Sequence, residues 1–179
     1  MRIIGGIHKG RKFHPPANIP ARPTTDIAKE GMFNTLNNML DFEGLKTLDI
    51  FGGTGSISYE LASRGAADLT LVERDRRTVA FIREEVQTLG FENFKIFPMD
   101  VFKFLEQCRD TYQFIYAGPP YALQEIDTIP AIIFDKGLLE PSGIFILEHT
   151  PRNNYEQHPN FEKVKNYGTT LFSFFRQPA

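Results

Sequence analysis

Cysteine is almost absent from this chain of 179 residues, which contains only Cys108. One cysteine cannot form an internal disulfide, and Cys108 has no Cys or His neighbour at metal-ligand spacing. The sequence therefore supports neither a disulfide framework nor a zinc site. We expect no bound metal and a structural role for Cys108.

Long hydrophobic runs are also missing, and no segment approaches the roughly 18 continuous apolar residues that a membrane span requires. The first residues lead directly into glycines and basic residues, without the apolar stretch of a secretory signal. No internal repeat or low-complexity segment is found. We therefore expect a soluble, cytoplasmic, monomeric protein without a membrane partner, folded as one domain over residues 1–179.

Net charge is small, but the charges are unevenly distributed. The formal net charge of −2 by itself argues against a nucleic-acid partner. Residues 1–30, however, hold six basic groups and two acids, so that a basic arm precedes an acidic body. This arm either contacts nucleic acid or is a solvated surface without a partner. The basic residues are Arg2, Lys9, Arg11, Lys12, Arg22 and Lys29, and the acids are Asp26 and Glu30.

Residues 1–25 are predicted to form a hairpin and an extended arm ahead of a core at 26–179. Two extended segments, 2–7 and 11–13, flank a turn at Lys9-Gly10, and two prolines follow. Thr24 or Thr25 then caps a helix. Its apolar positions follow helical spacing and are Ile27, Met32, Phe33, Leu36, Met39 and Leu40.

From residue 46, short apolar runs alternate with amphipathic segments, which is typical of successive β-α units. The last two strands are separated by residues 167–169 alone, a connection so short that they must pair antiparallel. The predicted fold is α/β and Rossmann-like: a seven-stranded, mostly parallel sheet with an antiparallel carboxy-terminal hairpin and an amino-terminal β-hairpin extension. The predicted strands are 47–51, 69–73, 94–98, 113–117, 143–148, 162–167 and 170–175, and the helices between them are 56–64, 75–89, 101–107 and 124–135.

The first motif with chemical meaning follows the first predicted strand, where ligands of open α/β sheets bind. Its glycines let the backbone approach a ligand, and its aspartate carboxylate accepts from a cationic or hydroxyl donor. A dinucleotide-binding loop needs a third glycine near Ser58, and a phosphate-binding loop needs Gly-Lys-Ser or Gly-Lys-Thr, so both are disfavoured. The candidate ligand-binding residues here are Asp49, Phe51, Gly52, Gly53, Thr54 and Gly55.

Two further acids follow the second and third predicted strands. Glu73, next to Arg74, stands where a carboxylate binds the hydroxyls of a ribose, although an exposed strand-end acid is the alternative. Asp100 precedes Val101 and Phe102, so it can accept from an adenine amine while the apolar side chains sandwich the ring. Asp100 is also a candidate helix N-cap, and the two roles are compatible.

A fourth motif, Gly118-Pro119-Pro120-Tyr121, follows the next strand. The prolines fix the backbone and orient a carbonyl outward, and Tyr121 offers an aromatic face for a planar base. By itself this motif is consistent with a simple turn. Its order after three other motifs at strand ends favours a methyltransferase of class I.

With these motifs, the sequence resembles the RsmD-type family of small-subunit ribosomal RNA guanine-N2 methyltransferases over nearly its whole length. The resemblance also rests on Arg2-Ile3-Ile4-Gly5-Gly6, on Arg22-Pro23-Thr24-Thr25-Asp26, and on Tyr167-Gly168-Thr169-Thr170. It implies that residues 49–55 face the methionine part of S-adenosylmethionine, Glu73 its ribose, and residues 100–102 its adenine. The product would be S-adenosylhomocysteine. The resemblance also implies that ribosomal RNA or an assembling small subunit is the partner, contacted through Arg2, Lys9, Arg11, Lys12, Arg22, Thr24 and Thr25.

Gly118 departs from this pattern, since the family usually has Asp or Asn before Pro-Pro-Tyr. That side-chain oxygen and the following proline carbonyl would accept hydrogen bonds from the target amine. Loss of one such group costs on the order of 2.7 to 4 kcal/mol, by analogy with an oxyanion-hole donor. Three interpretations of Gly118 remain open. In the first, another carboxylate replaces the missing side chain, with Glu148 and Glu125 as unranked candidates. In the second, the methyltransferase is weak or Gly118 is an altered residue, and in the third the chain binds RNA without catalysis.

The sequence leaves other functions open. Within the enzyme class, the alternative is methylation of a DNA or protein amine; outside it, the alternative is an RNA-binding assembly factor that retains the cofactor pocket. A small-molecule oxidoreductase is disfavoured by Ser58 and by the lack of a candidate hydride-transfer acid or base among the histidines, which are His8, His14, His149 and His158.

Overall fold

The computed structural model describes residues 1–179 and contains one seven-stranded sheet with helices on both faces. The helices are α1 (Asp26–Leu36), α2 (Ser56–Ser63), α3 (Arg76–Leu89), α4 (Val101–Gln107) and α5 (Thr128–Asp135). The strands are β1 (Lys46–Ile50), β2 (Asp68–Val72), β3 (Phe94–Phe97), β4 (Tyr112–Ala117), β5 (Leu139–His149), β6 (Phe161–Tyr167) and β7 (Thr170–Arg176). No helix combines the length and the apolar composition that a membrane span requires.

The strand order is β3-β2-β1-β4-β5-β7-β6. Strands β1 to β5 are parallel, and β7 runs antiparallel to both β5 and β6. The chain proceeds in one direction from β1 to β3 and then returns to the other side of β1 for β4. This reversal leaves a crevice at the carboxyl ends of β1 and β4, which is where open α/β sheets bind ligands. The predicted fold class is confirmed.

Successive side chains of the central strands point to opposite faces of the sheet, so each face has its own hydrophobic core. In β4, Phe114 and Tyr116 pack with the side chains of α1 and α2, whereas Ile115 and Ala117 pack with those of α4 and α5. This period of two is expected for a strand covered on both sides. It also fixes which side chains at the end of β4 share a face.

The amino-terminal arm is attached to the body of the protein through both its backbone and its side chains. Arg2 and Lys12 form an antiparallel β-bridge, and the Ile3 amide donates to the Arg11 carbonyl at 2.8 Å. The predicted hairpin is therefore present, but its two segments are joined by one bridge and do not form regular strands. Ile3 and Phe13 are buried beside Tyr59 of α2. Burial of such a side chain contributes about 1.5–3 kcal/mol, which fixes the arm on the body.

Three details of the predicted elements are wrong. Helix α1 ends at Leu36, and Ile27 on its outer side is 77% exposed, because Ala28 and Lys29 occupy the inward positions. Strand β5 begins at Leu139, four residues before the predicted start at 143. The Pro-Ser-Gly segment fits into the strand because Ser142 adopts a φ of 64° and the register with β4 shifts there. The segment 124–127 is a 3₁₀ turn that leads into α5.

Candidate functional site

A cavity of about 760 Å³ opens at the carboxyl edge of the sheet. It brings together residues of all four sequence motifs, which lie on loops after β1, β2, β3 and β4. Of the predicted cofactor-binding and catalytic residues, only Asp49 and Gly55 are absent from its wall. The segment from Pro20 to Thr24 of the arm and Glu148 at the end of β5 complete the wall.

The loop after β1 has a backbone that few sequences adopt. Phe51 has a φ of 60°, and Gly53 and Gly55 have φ values of 57° and 85°. A positive φ is uncommon for a bulky residue and tends to occur at functional sites. A Cβ on Gly52 would lie 2.5 Å from the Leu71 side chain, so this loop packs directly on β2.

Glu73 holds this loop in place. Its Oε1 accepts from the Gly53 amide at 3.0 Å, and its Oε2 accepts from the Asp75 amide at 2.8 Å. Each carboxylate oxygen has two lone pairs, so one acceptor position remains on each. The carboxylate can therefore still accept from two neighbouring hydroxyl groups in the cavity.

Asp100 is the N-cap of α4, as one of its two sequence interpretations predicted. Both capping bonds, from the amides of Phe102 at 3.0 Å and Lys103 at 3.1 Å, go to Oδ2. The other oxygen keeps its acceptor positions. The rings of Phe51 and Phe102 lie 6.2 Å apart, and both line the cavity beside Met99 and Val101. This part of the cavity suits a planar ring that carries an amine.

Asp49 lies near the end of β1, just before the glycine loop; it is only 1% exposed and does not line the cavity. Its Oδ2 accepts from the Ser58 hydroxyl at 2.7 Å, while its Oδ1 has no partner. Burial, opposed by the Ser58 bond and reinforced by the charge of Glu73, raises the pKa of Asp49 to about 8. An unpaired carboxylate oxygen in this position would be stabilised by a cationic ligand above it.

Glu148 is the centre of a hydrogen-bonded cluster in the opposite half of the cavity. Its Oε1 accepts from Thr24 and Tyr116, both at 2.6 Å, and its Oε2 accepts from Tyr121 at 2.8 Å. Burial raises the pKa of Tyr116 and of Tyr121, so both hydroxyls keep their protons and donate. Glu125, the other candidate acid, is exposed and does not line the cavity.

Tyr116 was not singled out from the sequence. It lies two residues before Gly118, and a period of two places such residues on the same face of a strand. That spacing was the available signal, but the role of Tyr116 depends on Glu148, which comes from another strand. Sequence spacing does not show that contact.

The residues predicted to contact RNA fall into two groups. Lys9, Arg11 and Lys12 are exposed on the hairpin, and Arg2 is exposed beside Asp26, with 3.5 Å between Nε and Oδ2. The others are engaged within the chain, since Arg22 lies over the Tyr121 ring at 4.0 Å, Thr24 donates to Glu148, and the Thr25 hydroxyl caps α1. Lys29, counted with the basic arm, is completely buried.

Comparison with known proteins identifies the family. The family model described as "Conserved hypothetical protein 95" matches residues 1–176. The chain belongs to this family. The chain is also similar to Ribosomal RNA small subunit methyltransferase D of Escherichia coli (strain K12), with 28% identity over 100% of this chain and 91% of that protein. Together with the family match, this similarity confirms the RsmD-type resemblance.

Two further relatives agree with this membership. YlbH of Bacillus subtilis (strain 168) is 31% identical over 83% of this chain and 82% of its own. The solved structure of yhhF from Escherichia coli superimposes with a TM-score of 0.87 at 27% identity, covering 100% of this chain and 98% of that chain. The likeness therefore extends to the arm as well as to the sheet.

Proposed function

We propose that this protein is an S-adenosylmethionine-dependent methyltransferase that methylates the exocyclic N2 amine of a guanine in small-subunit ribosomal RNA. The observation that carries the proposal is that one cavity holds both sets of residues: a half suited to a nucleoside adjoins the Pro-Pro-Tyr segment and Glu148. Family membership and the name of the Escherichia coli relative support the reaction and the class of substrate. We further propose that the protein acts as a monomer.

The residues after β1, β2 and β3 fit S-adenosylmethionine. Glu73 has acceptor positions for two ribose hydroxyls, Asp100 has a free oxygen for the adenine amine, and Phe51 and Phe102 flank the ring. The unpaired Asp49 Oδ1 below the glycine loop favours the positive charge of this ligand. Bound here, S-adenosylmethionine supplies a methyl group on a positively charged sulfur.

The residues after β4 and β5 act on the target base. Pro119 and Pro120 hold the backbone after Gly118 rigid, and the Pro119 carbonyl is the candidate acceptor for the target amine, since the Pro120 carbonyl already accepts from the Leu123 amide at 3.0 Å. Tyr121 offers its ring to an extruded guanine, and because Arg22 lies over one face, the base either uses the other face or displaces Arg22. A guanine amine is a weak nucleophile, so its positioning accounts for much of the rate.

The exposed basic side chains of the arm would hold the RNA. Lys9, Arg11 and Lys12 lie on the hairpin, whose strands are fixed to α2 by the buried Ile3 and Phe13. Phosphate contacts of this kind position a nucleic acid without reading its sequence. Arg22 and Thr24 belong instead to the cavity, at the point where an extruded base would enter.

The test combines ligand binding with methyl transfer. We expect calorimetry to show binding of S-adenosylmethionine and S-adenosylhomocysteine, with weaker binding after Glu73→Ala. We also expect labelled methyl groups to be transferred to small ribosomal subunits that lack the modification. Absence of binding to either compound would contradict the proposal, and binding without transfer would favour an RNA-binding protein.

A further inference from the structure

We propose that Glu148 is the acceptor that holds the target amine, in the role that a side chain at position 118 would otherwise fill. This inference rests on the proposed function and names a further residue for the same reaction.

Glu148 lies next to Gly118 in the sheet. Strand β4 pairs with β5 so that Tyr116 is opposite Ile146 and Ala117 is opposite Leu147. The same register carried one residue further places Gly118 beside Glu148, and parallel strands are about 4.8 Å apart. A carboxylate on β5 therefore lies close to the place that an acidic side chain on β4 would occupy.

The Glu148 side chain also lies on the required face. Its Oε1 is bonded to Tyr116, and a Cβ built on Gly118 would lie 3.1 Å from Cε1 of the same tyrosine. Both side chains would therefore contact one ring. Because Glu148 lines the same cavity as Pro119 and Tyr121, it faces the space for the target base.

One acceptor position of Glu148 is left for the substrate. A carboxylate has about four lone-pair positions, and here Oε1 accepts two hydrogen bonds and Oε2 accepts one. The three hydroxyl donors, from Thr24, Tyr116 and Tyr121, also fix the orientation of the carboxylate. The remaining position on Oε2 can accept one N–H of an exocyclic amine.

The amine nitrogen forms a bond to the methyl carbon as the carbon–sulfur bond breaks, and that electron pair stays on the sulfur of S-adenosylhomocysteine. The amine is then positively charged and loses one proton. Glu148 Oε2 accepts this proton and later passes it to water.

The direct test is a comparison of guanosine with inosine, which lacks only the exocyclic amine. Nuclear magnetic resonance titrations would use the full chain loaded with S-adenosylhomocysteine. We expect guanosine to bind about tenfold more tightly than inosine, a difference typical of one hydrogen bond to a charged group. This preference should disappear in Glu148→Ala and persist in Glu125→Ala, whose side chain is exposed outside the cavity.

Methyl transfer to small subunits provides the second readout. We expect kcat to fall about 100- to 1000-fold in Glu148→Ala, with an unchanged KM for S-adenosylmethionine, and to fall less in Glu148→Gln, which retains an acceptor oxygen. Adding Gly118→Asn to Glu148→Ala should raise kcat at least tenfold above that of Glu148→Ala alone. Removal of Glu148 leaves room for the Tyr116 ring to move by the few tenths of an ångström that a Cβ at 118 requires.

The outcomes separate this inference from the proposed function. Equal binding of guanosine and inosine to the unaltered protein, or a preference that survives in Glu148→Ala, would overturn the role of Glu148. If Glu148 only tethered Thr24 and Tyr121, Gly118→Asn would restore nothing, which would also overturn it. A Glu148-dependent preference for guanosine without methyl transfer by the unaltered protein would support the acceptor and contradict the proposed function.

Discussion

The ammonium group of Lys29 lies 3.4 Å from the carboxylate of Glu60, and both side chains are completely buried. Lys29 also donates to the Arg2 carbonyl at 2.6 Å, and Glu60 accepts from the amides of Ile4 and Gly5, both at 2.9 Å. The pair thus links α1 and α2 to the backbone of the arm. Burial, opposed by the charge of Glu60, lowers the pKa of Lys29.

Replacing Lys29 should destabilise the protein strongly. Lys29→Met removes one of the two cations that pair with Glu60, leaving only Arg64 at 2.9 Å, and it leaves the Arg2 carbonyl without a donor, so we expect a loss of about 1.5–3 kcal/mol in the free energy of unfolding. Urea denaturation measures this loss. The control is Lys46→Met, which removes a partly exposed pair with Asp110 and should cost at most about 1 kcal/mol. Equal losses would contradict the structural role of the buried pair.

Because the pKa of Asp49 is raised, we expect the stability of the protein without ligand to depend on pH. Its pKa is about 8 in the folded protein against 3.8 ordinarily, so between these values the folded state keeps a proton that the unfolded state has released. The associated stability is fully present below about pH 3.8 and is lost as the pH rises towards 8. Asp49→Asn does not titrate, so its advantage in Tm over the unaltered protein should grow from pH 5 to pH 8 and then level off. A constant difference in Tm would contradict the raised pKa.

Arg11 tests the contact between the arm and RNA. Arg11→Ala should weaken binding to small-subunit RNA and reduce the salt dependence of the binding constant by about one charge, as expected for a lost phosphate contact. The matched control is Lys136→Ala, at the carboxyl end of α5 and therefore at the sheet edge opposite the cavity. Filter binding at several salt concentrations measures both. An unchanged slope for Arg11→Ala would show that the arm is a solvated surface.

Tyr121 allows base stacking to be separated from hydrogen bonding. Tyr121→Phe keeps the ring but loses the bond to Glu148, whereas Tyr121→Ala loses both. Stacking of one base on an aromatic ring is worth about 1–3 kcal/mol, so we expect Tyr121→Ala to lower kcat/KM for methyl transfer about 5- to 150-fold further than Tyr121→Phe. Equal losses in the two variants would mean that the base does not stack on this ring.

Much of this structure was predictable because the informative residues are close together in sequence. The mostly parallel sheet with its antiparallel hairpin follows from the β-α alternation and the short connection at 167–169, and the motifs after β1 to β4 were expected at one edge of the sheet because parallel strands end there. Glu73, Asp100 and Tyr121 all line the cavity. Local patterns were sufficient for these residues.

The remaining features depend on contacts between distant segments. Glu148 and Glu125 could not be ranked from sequence, because the choice depends on the register of β5 against β4. Lys29 was counted as a surface charge because its partner, Glu60, is 31 residues away on another helix. Arg22 was expected on phosphates, but its stacking on Tyr121 arises only when the arm folds over the cavity.

The identity of the nucleoside that the protein modifies tests the proposed methylation of a guanine N2 amine directly. Small ribosomal subunits lacking the modification would be incubated with the protein and labelled S-adenosylmethionine, and their RNA digested to nucleosides for mass spectrometry. We expect the label to appear in N2-methylguanosine and in no other nucleoside. Label in a different nucleoside, or none in RNA from a protein that binds S-adenosylmethionine, would contradict it.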